Sequence, residues 1–298
     1  MLITTSNKLQ MAIILVTGAS GQLGNEIRVL SKNYPGYEFI FTDIENLDIT
    51  NKSEVNDFVR KSDPDWIINC AAYNFVDKAE QEEEKAFMIN SLSVGNLAGA
   101  IRDTDRRLIH VSTDYVFDGN ANTPYNENSE TNPLSVYARS KRAGEQNALT
   151  HHASMIIRTS WLYSSFGNNF VKTILKNADE KELLKVVFDQ VGTPTYAADL
   201  AYAIMTIVAG VVRNQKAFKP GIYHYSNEGV CSWYDFACEI VEMSGSECRV
   251  IPILSGEFPS KVKRPSFSVL DKSKIKENYG LEIPYWKDSL KKCINLLR

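Results

Sequence analysis

No stretch of this 298-residue chain approaches the roughly 18 consecutive apolar residues that a bilayer span needs. Lysine and arginine are scattered, with no basic run, and the net charge is −3. That balance excludes a phosphate-tracking stripe and argues against nucleic acid as a partner. The five cysteines, Cys70, Cys231, Cys238, Cys248 and Cys293, include no C-x-x-C pair to frame a zinc site. Their odd number reads as reduced thiols in a cytoplasmic protein. His110, His151, His152 and His224 show no H-E-x-x-H spacing, so no metal site is assigned. The chain has no internal repeat and no low-complexity segment. Residues 1–10 are polar and lack the apolar centre and cleavage site of a signal peptide. They are expected to form a disordered extension, with the folded chain starting near Met11.

What is present is 44% hydrophobic sequence, enough for one large core or two modest ones. The run AIILVT at 12–17 is continuous and apolar, as expected for a central parallel strand buried on both faces. Further strands are predicted at 38–42, 66–69, 108–112 and 155–159. Helices are predicted between them, to about residue 33 and over 51–61, 82–102 and 133–151. This alternation predicts an α/β fold with a doubly wound, Rossmann-type parallel sheet over residues 11–160. After Thr159 the rhythm loosens. Helices are expected near 168–178, 196–209, 232–243 and 286–297, and short strands near 185–188, 221–225 and 249–253. Residues 161–298 therefore read mainly as a smaller α/β substrate-binding lobe, with some segments returning to the sheet.

Gly18-Ala19-Ser20-Gly21-Gln22-Leu23-Gly24 follows the first strand and opens a helix. Glycines at this spacing permit a tight turn and close backbone approach to a pyrophosphate, which helix amides can then hold. Asp43 ends the second strand, where an acid can accept from an adenosine ribose hydroxyl; Asp48 is an equally placed competitor. An acid there leans toward NADH, yet the choice between NADH and NADPH stays open. Ala71 and Ala72 close the third strand with small side chains that let a flat ligand approach.

Ser112-Thr113-Asp114-Tyr115 closes the next strand, and Tyr137-Ala138-Arg139-Ser140-Lys141 lies in the helix after it. Lysine one turn after tyrosine shares its helical face. A phenol with an ordinary pKa of about 10 exchanges protons poorly at neutral pH, so a nearby ammonium is expected to acidify it. Tyr137 is thus the candidate acid, Lys141 the residue that tunes it and bonds the nicotinamide ribose, and Thr113 the hydroxyl that aims a substrate carbonyl.

These motifs resemble the extended short-chain dehydrogenase/reductase family. More narrowly, the chain is similar to the reductases of that family acting on dTDP-linked 4-keto-6-deoxy sugars. The likeness runs from Met11 to about Leu297. It rests on the glycine loop, Ala71-Ala72-Tyr73, Val76-Asp77-Lys78-Ala79-Glu80 and Ser112-Thr113-Asp114-Tyr115-Val116-Phe117-Asp118-Gly119. It continues through Tyr137-x-x-x-Lys141, Arg158-Thr159-Ser160-Trp161, Asp189-Gln190-x-Gly192-Thr193-Pro194-Thr195 and Arg264-Pro265. The resemblance implies NADPH or NADH as cofactor, lined by Gly21, Gln22, Leu23, Asp48, Ile49, Ala71, Ala72 and Tyr73. It implies a nucleotide-sugar substrate met by Thr113, Asp114 and Trp161, and reduction of dTDP-4-dehydro-L-rhamnose to dTDP-L-rhamnose. Arg264 is a candidate for the substrate diphosphate, because guanidinium forks suit phosphate oxygens. Asn90, polar in an apolar stretch, is expected to brace the site. Ala138 and Ser140 stand where the family usually has glycine and threonine, both small exchanges. Some members resemble metal-bridged dimers with an acid in the first helix; Glu26 sits there, but no Mg2+ site is claimed, and the chain is expected to be a monomer or homodimer. Two alternatives stay open: a 4-epimerase or 4,6-dehydratase of the same family, and a non-catalytic regulatory subunit.

Overall fold

The computed structural model describes residues 11–260 and 262–298; the extension expected over 1–10 lies outside the described residues. Apolar and β-branched runs form β1 (Ala12–Thr17), β2 (Tyr37–Thr42), β3 (Trp66–Asn69), β4 (Arg107–Thr113) and β5 (Ser154–Thr159). With Gly221–His224 they build one six-stranded sheet in the order Gly221–His224, β5, β4, β3, β1, β2, all pairs parallel. Every residue of β3 and β5 is buried, which is why neither shows polar alternation. Parallel neighbours need crossovers, here carried chiefly by α1 (Gln22–Ser31), α2 (Lys52–Ser62), α3 (Ser93–Ala100) and α4 (Val136–Ala148). Since β1 lies between β2 and β3, the strand order reverses there and a crevice opens at the carboxyl ends, where ligands of open α/β sheets bind.

Each face of the sheet has its own core. Ile14, Val16 and Ile27 pack with Leu200 and Ile204 on one side; Leu15, Val55, Leu97 and Ile156 pack on the other. Each fully buried aliphatic side chain of this kind contributes roughly 1.5–3 kcal/mol. Two segments beyond Thr159 return to this body. The helix Ala197–Val212 packs on α1, and Gly221–His224 is the edge strand beside β5. The remaining segments gather around a smaller core of Tyr163, Ile174, Phe236 and Trp286. There Leu183–Val187 and Arg249–Ile253 pair in parallel beneath the helices Phe170–Glu180 and Trp233–Ser244. Among the described residues no helix is long and apolar enough to cross a membrane.

The single helix expected over 82–102 is interrupted. Glu83–Phe87 runs into a π-helical turn, Met88–Leu92, before α3 begins. π turns often occur at functional sites, and this one carries Asn90, fully buried. Its side chain accepts from Tyr73 N at 2.8 Å and donates to Tyr73 O and Ser140 Oγ at 3.0 Å each. Hydropathy periodicity has no term for that polar tie, so it reads the stretch as continuous.

Candidate active site

The first turn after β1 is shaped by backbone proximity. Gly18 has φ +66°, and a Cβ there would lie 2.5 Å from Ala71 N; one on Gly24 would lie 2.5 Å from Gly18 O. Only glycine fits both places. The loop closes through Gly21 N donating to Gly18 O at 3.1 Å, and α1 starts directly behind it with Gly21 as its N-cap. Of the residues expected to line a dinucleotide, Gly18, Gly21, Asp43, Asp48, Ile49, Ala71 and Ala72 form walls of one groove of about 310 Å³. Thr17, Ile44, Cys70, Asn74 and Ile89 join them. Ile44, 68% exposed at the mouth, offers an apolar face that sequence reasoning passed over. A cradle this tight, with helix amides at one end, fits a dinucleotide.

Three expected liners sit differently. Leu23 is buried in the core, Gln22 accepts from Asn169 Nδ2 at 3.1 Å, and Tyr73 turns its ring onto Phe75 while its hydroxyl donates to Glu82 at 2.9 Å. Asp43 is also more than a ribose acceptor. Its carboxylate takes Ser20 N at 2.9 Å and Ile44 N at 3.0 Å, so it braces the glycine loop. Asp48 accepts from Thr50 N and Thr50 Oγ1 at 2.9 and 2.7 Å.

Beyond the groove stands α4. Ser135 Oγ caps its start by accepting from Ala138 N at 3.2 Å, and Glu80 accepts from Val136 N at 2.7 Å. Together they place Tyr137 in the first turn. Tyr137 and Lys141 are both buried, and Lys141 Nζ donates to Val111 O at 2.6 Å. The hydroxyl of Thr113 is a neighbour of the Tyr137 phenol and donates to Asp114 Oδ1 at 3.0 Å. Sequence reasoning expected the lysine to acidify the phenol. The site instead pushes Tyr137 up to about 12, because burial penalises the phenolate by more than the Thr113 hydroxyl draws it back, and the Asp114 charge adds a smaller push upward. Burial also brings Lys141 down to about 8 and raises Asp114 to about 6. At neutral pH the phenol therefore holds its proton and the ammonium most of its charge, the protonation states a proton donor needs, while the raised value makes the phenol a weaker acid than free tyrosine.

The smaller lobe holds a cavity of about 540 Å³. Phe170, Ile174, Val186, Trp233 and Phe258 line it, with Lys181, Lys185 and Arg264 as its cations. Trp161 adopts φ +47°, a strained conformation for a non-glycine residue, and stacks on Trp233 at 3.6 Å with 9° between planes. Arg264 donates to Asp77 Oδ2 at 2.7 Å and to Ser260 Oγ, and its guanidinium lies near the Tyr115 hydroxyl. The Tyr115 ring stands edge-on to Tyr137, 5.9 Å between centroids, which joins the cavity rim to the catalytic helix. Thr113 and Asp114 thus lie near Tyr137, and Arg264 connects to it through Tyr115. Trp161 reaches the cavity wall through Trp233. Phe170, Trp233 and Phe258 were not foreseen, since isolated aromatics in helices and loops carry no spacing to read. Glu26 of α1 accepts from Ser164 Oγ at 2.6 Å, and its carboxyl is raised chiefly by burial. Among the described residues no group of three or more His, Cys, Asp or Glu is placed to hold a metal ion.

A glycine cradle opening toward a buried phenol and ammonium is the arrangement of a dinucleotide-dependent oxidoreductase of the short-chain dehydrogenase/reductase class. Within that class the chain belongs to the family described as RmlD substrate binding domain, whose model matches residues 11–298. It is 40% identical over 288 residues to a dTDP-4-dehydrorhamnose reductase of Aggregatibacter actinomycetemcomitans, covering 94% of this chain and 98% of that one. The crystal structure of a dTDP-4-dehydrorhamnose reductase from Clostridium acetobutylicum is similar with TM-score 0.89 and 42% identity, over 96% of this chain and 99% of that one. A Bacillus anthracis dTDP-4-dehydrorhamnose reductase in complex with NADP is similar with TM-score 0.89 and 37% identity, over the same shares.

Proposed function

We propose that this protein reduces the keto group of a nucleotide-linked 4-keto-6-deoxy sugar, converting dTDP-4-dehydro-L-rhamnose to dTDP-L-rhamnose in the cytoplasm as a precursor of cell-surface polysaccharide. The observation that carries this reading is the set of contacts that α4 makes: Arg264 of the cation-rimmed cavity lies near Tyr115, whose ring stands against Tyr137, and Lys141 one turn further lies near Cys70 of the dinucleotide groove. The names of the relatives supply the sugar. The five free cysteines accord with a reducing compartment.

NADPH or NADH, when held in the groove by Gly18, Gly21, Ala71 and Ala72, would supply the hydride. Tyr137 gives its proton to the developing alkoxide, Thr113 holds the carbonyl oxygen in line, and the Lys141 charge stabilises the phenolate left behind. Asp114 and Trp161 orient the sugar. Arg264 takes the diphosphate by leaving Asp77, one anion replacing another on the guanidinium. The cavity receives the nucleoside, its base against Phe170, Trp233 or Phe258.

The test is oxidation of NADPH and of NADH with dTDP-4-keto-6-deoxy-L-mannose, beside a UDP-linked keto sugar, with sedimentation to separate monomer from homodimer. Rapid oxidation with the dTDP sugar is expected. Purification with stoichiometric bound NAD and no net oxidation would turn the reading toward an epimerase or dehydratase. A dehydratase also wants a second carboxylate beside Asp114; Tyr115 stands there, its phenol raised by burial.

A further inference from the structure

Glu145 continues the stripe of Tyr137 and Lys141 by one more turn of α4, and no role above uses it. It is fully buried. Its carboxylate accepts from Arg158 Nε and Arg158 Nη2, each at 2.8 Å, and from Ser112 Oγ at 2.7 Å, with Arg142 Nη1 at 3.4 Å. Arg158 is 1% exposed. A buried ion pair of this kind is a poor source of stability, because apolar residues of similar volume often serve as well or better. Its placement needs another reason.

That reason is the strand it faces. Three consecutive residues of β4 engage the catalytic helix: the Val111 carbonyl takes Lys141 Nζ, the Ser112 hydroxyl donates to Glu145, and Thr113 lies beside the Tyr137 phenol. Beyond the Val111 carbonyl, the titratable groups near Lys141 other than Glu145 are uncharged at neutral pH. Cys70 is a thiol pushed up to about 12 by burial, His110 is held neutral by burial and by the lysine charge, and Tyr137 is a neutral phenol. The carboxylate whose field acts on the ammonium is that of Glu145, which Arg158 and Arg142 face from the other side.

We propose that Glu145, clamped by Arg158, is a positioning residue that keeps the buried ammonium of Lys141 charged and locks it in register with the Thr113 end of β4. This rests on the reductase reading of Tyr137 and Lys141. The sign follows from charge. Removing a negative neighbour disfavours the protonated amine, so Lys141 discharges at lower pH and activity falls away sooner on the alkaline side.

The experiment is Glu145→Gln, which keeps the shape and an acceptor for Ser112. Two readouts are taken: the alkaline limb of kcat/KM, and the 13C titration of the Lys141 ε-carbon in lysine-labelled protein, its signal assigned by loss in Lys141→Met. Both midpoints are expected to fall by about one pH unit. A role confined to folding would lower activity at every pH and leave both midpoints in place, and that result overturns the proposal. A shifted titration with an unmoved kinetic limb overturns it as well, since the charge would then not serve the reaction. If the parent protein turns over no keto sugar, the reductase reading fails on its own, and an unmoved titration still overturns the charge role. Should Glu145→Gln fail to fold with Arg158 unpaired, the double variant Glu145→Gln, Arg158→Gln removes both charges together. A smaller fall in the Lys141 midpoint is expected there, because loss of the more distant Arg158 charge offsets part of the loss of the carboxylate, and an unchanged or raised midpoint is again fatal.

Discussion

The dinucleotide groove and the aromatic cavity are built in opposite ways. The groove turns on close backbone approach. Its tight end is set by Gly18 and Gly24, where a Cβ would strike the neighbouring chain, beside the small Ala71 and Ala72 after β3. The cavity is side chain. Phe170, Trp233 and Arg264 come from segments far apart in sequence and meet through the packing of the smaller core. A site made by close backbone approach leaves a local motif, whereas a site made by converging side chains leaves none.

The comparison can be broken most sharply at the seam. Tyr137→Phe removes only the proton donor, and turnover is expected to fall by about 10²–10⁴-fold. Cofactor binding, followed by NADPH fluorescence, should stay near normal. Near-normal turnover in that variant would take Tyr137 out of the acid role. Next comes the groove. Gly18→Ala sets a Cβ 2.5 Å from Ala71 N at a residue with φ +66°. A loss of about 1–3 kcal/mol in stability is expected, with weakened cofactor affinity. Thermal melts with and without NADPH check this; unchanged melting would mean that the turn yields easily. The cavity should be more forgiving. Trp233→Ala unstacks Trp161 and is expected to raise KM for the dTDP sugar about tenfold, roughly 1.4 kcal/mol, while the NADPH dissociation constant holds. A change in NADPH affinity instead would show the two sites to be coupled. The smallest effect belongs to Asp77→Asn. Its pair with Arg264 is partly exposed and worth about 0–1 kcal/mol. Freeing the guanidinium should lower KM by no more than about fivefold at low salt. A raised KM would mean that Asp77 aims Arg264 and does not compete for it.

The same division explains what could be read in advance. The five leading strands and the turn at Gly18–Gly24 were legible because burial on two faces and forbidden Cβ positions both constrain residue type. Tyr137 and Lys141 were legible because helical spacing alone sets them on one face. The sign of the tyrosine shift was not. Proximity of a cation suggests an acidified phenol, but the cost of burying the phenolate is larger, and only the folded surroundings reveal it. The π turn at Met88–Leu92 was missed for a related reason, since Asn90 finds its partners at Tyr73 and Ser140 through tertiary contact. Glu145 was not singled out in the sequence, because its partner Arg158 reaches it only through β5.

By itself the sequence determined the doubly wound sheet, the glycine cradle and the order of hydroxyl, phenol and ammonium along the chain, because each is written in local spacing and side-chain size. The tertiary structure decided which late segments rejoin the sheet, which aromatics enclose the second cavity, what Arg264 holds, and how readily Tyr137 and Lys141 carry charge. Those outcomes depend on desolvation and on neighbours brought together across the chain, and residue spacing contains neither.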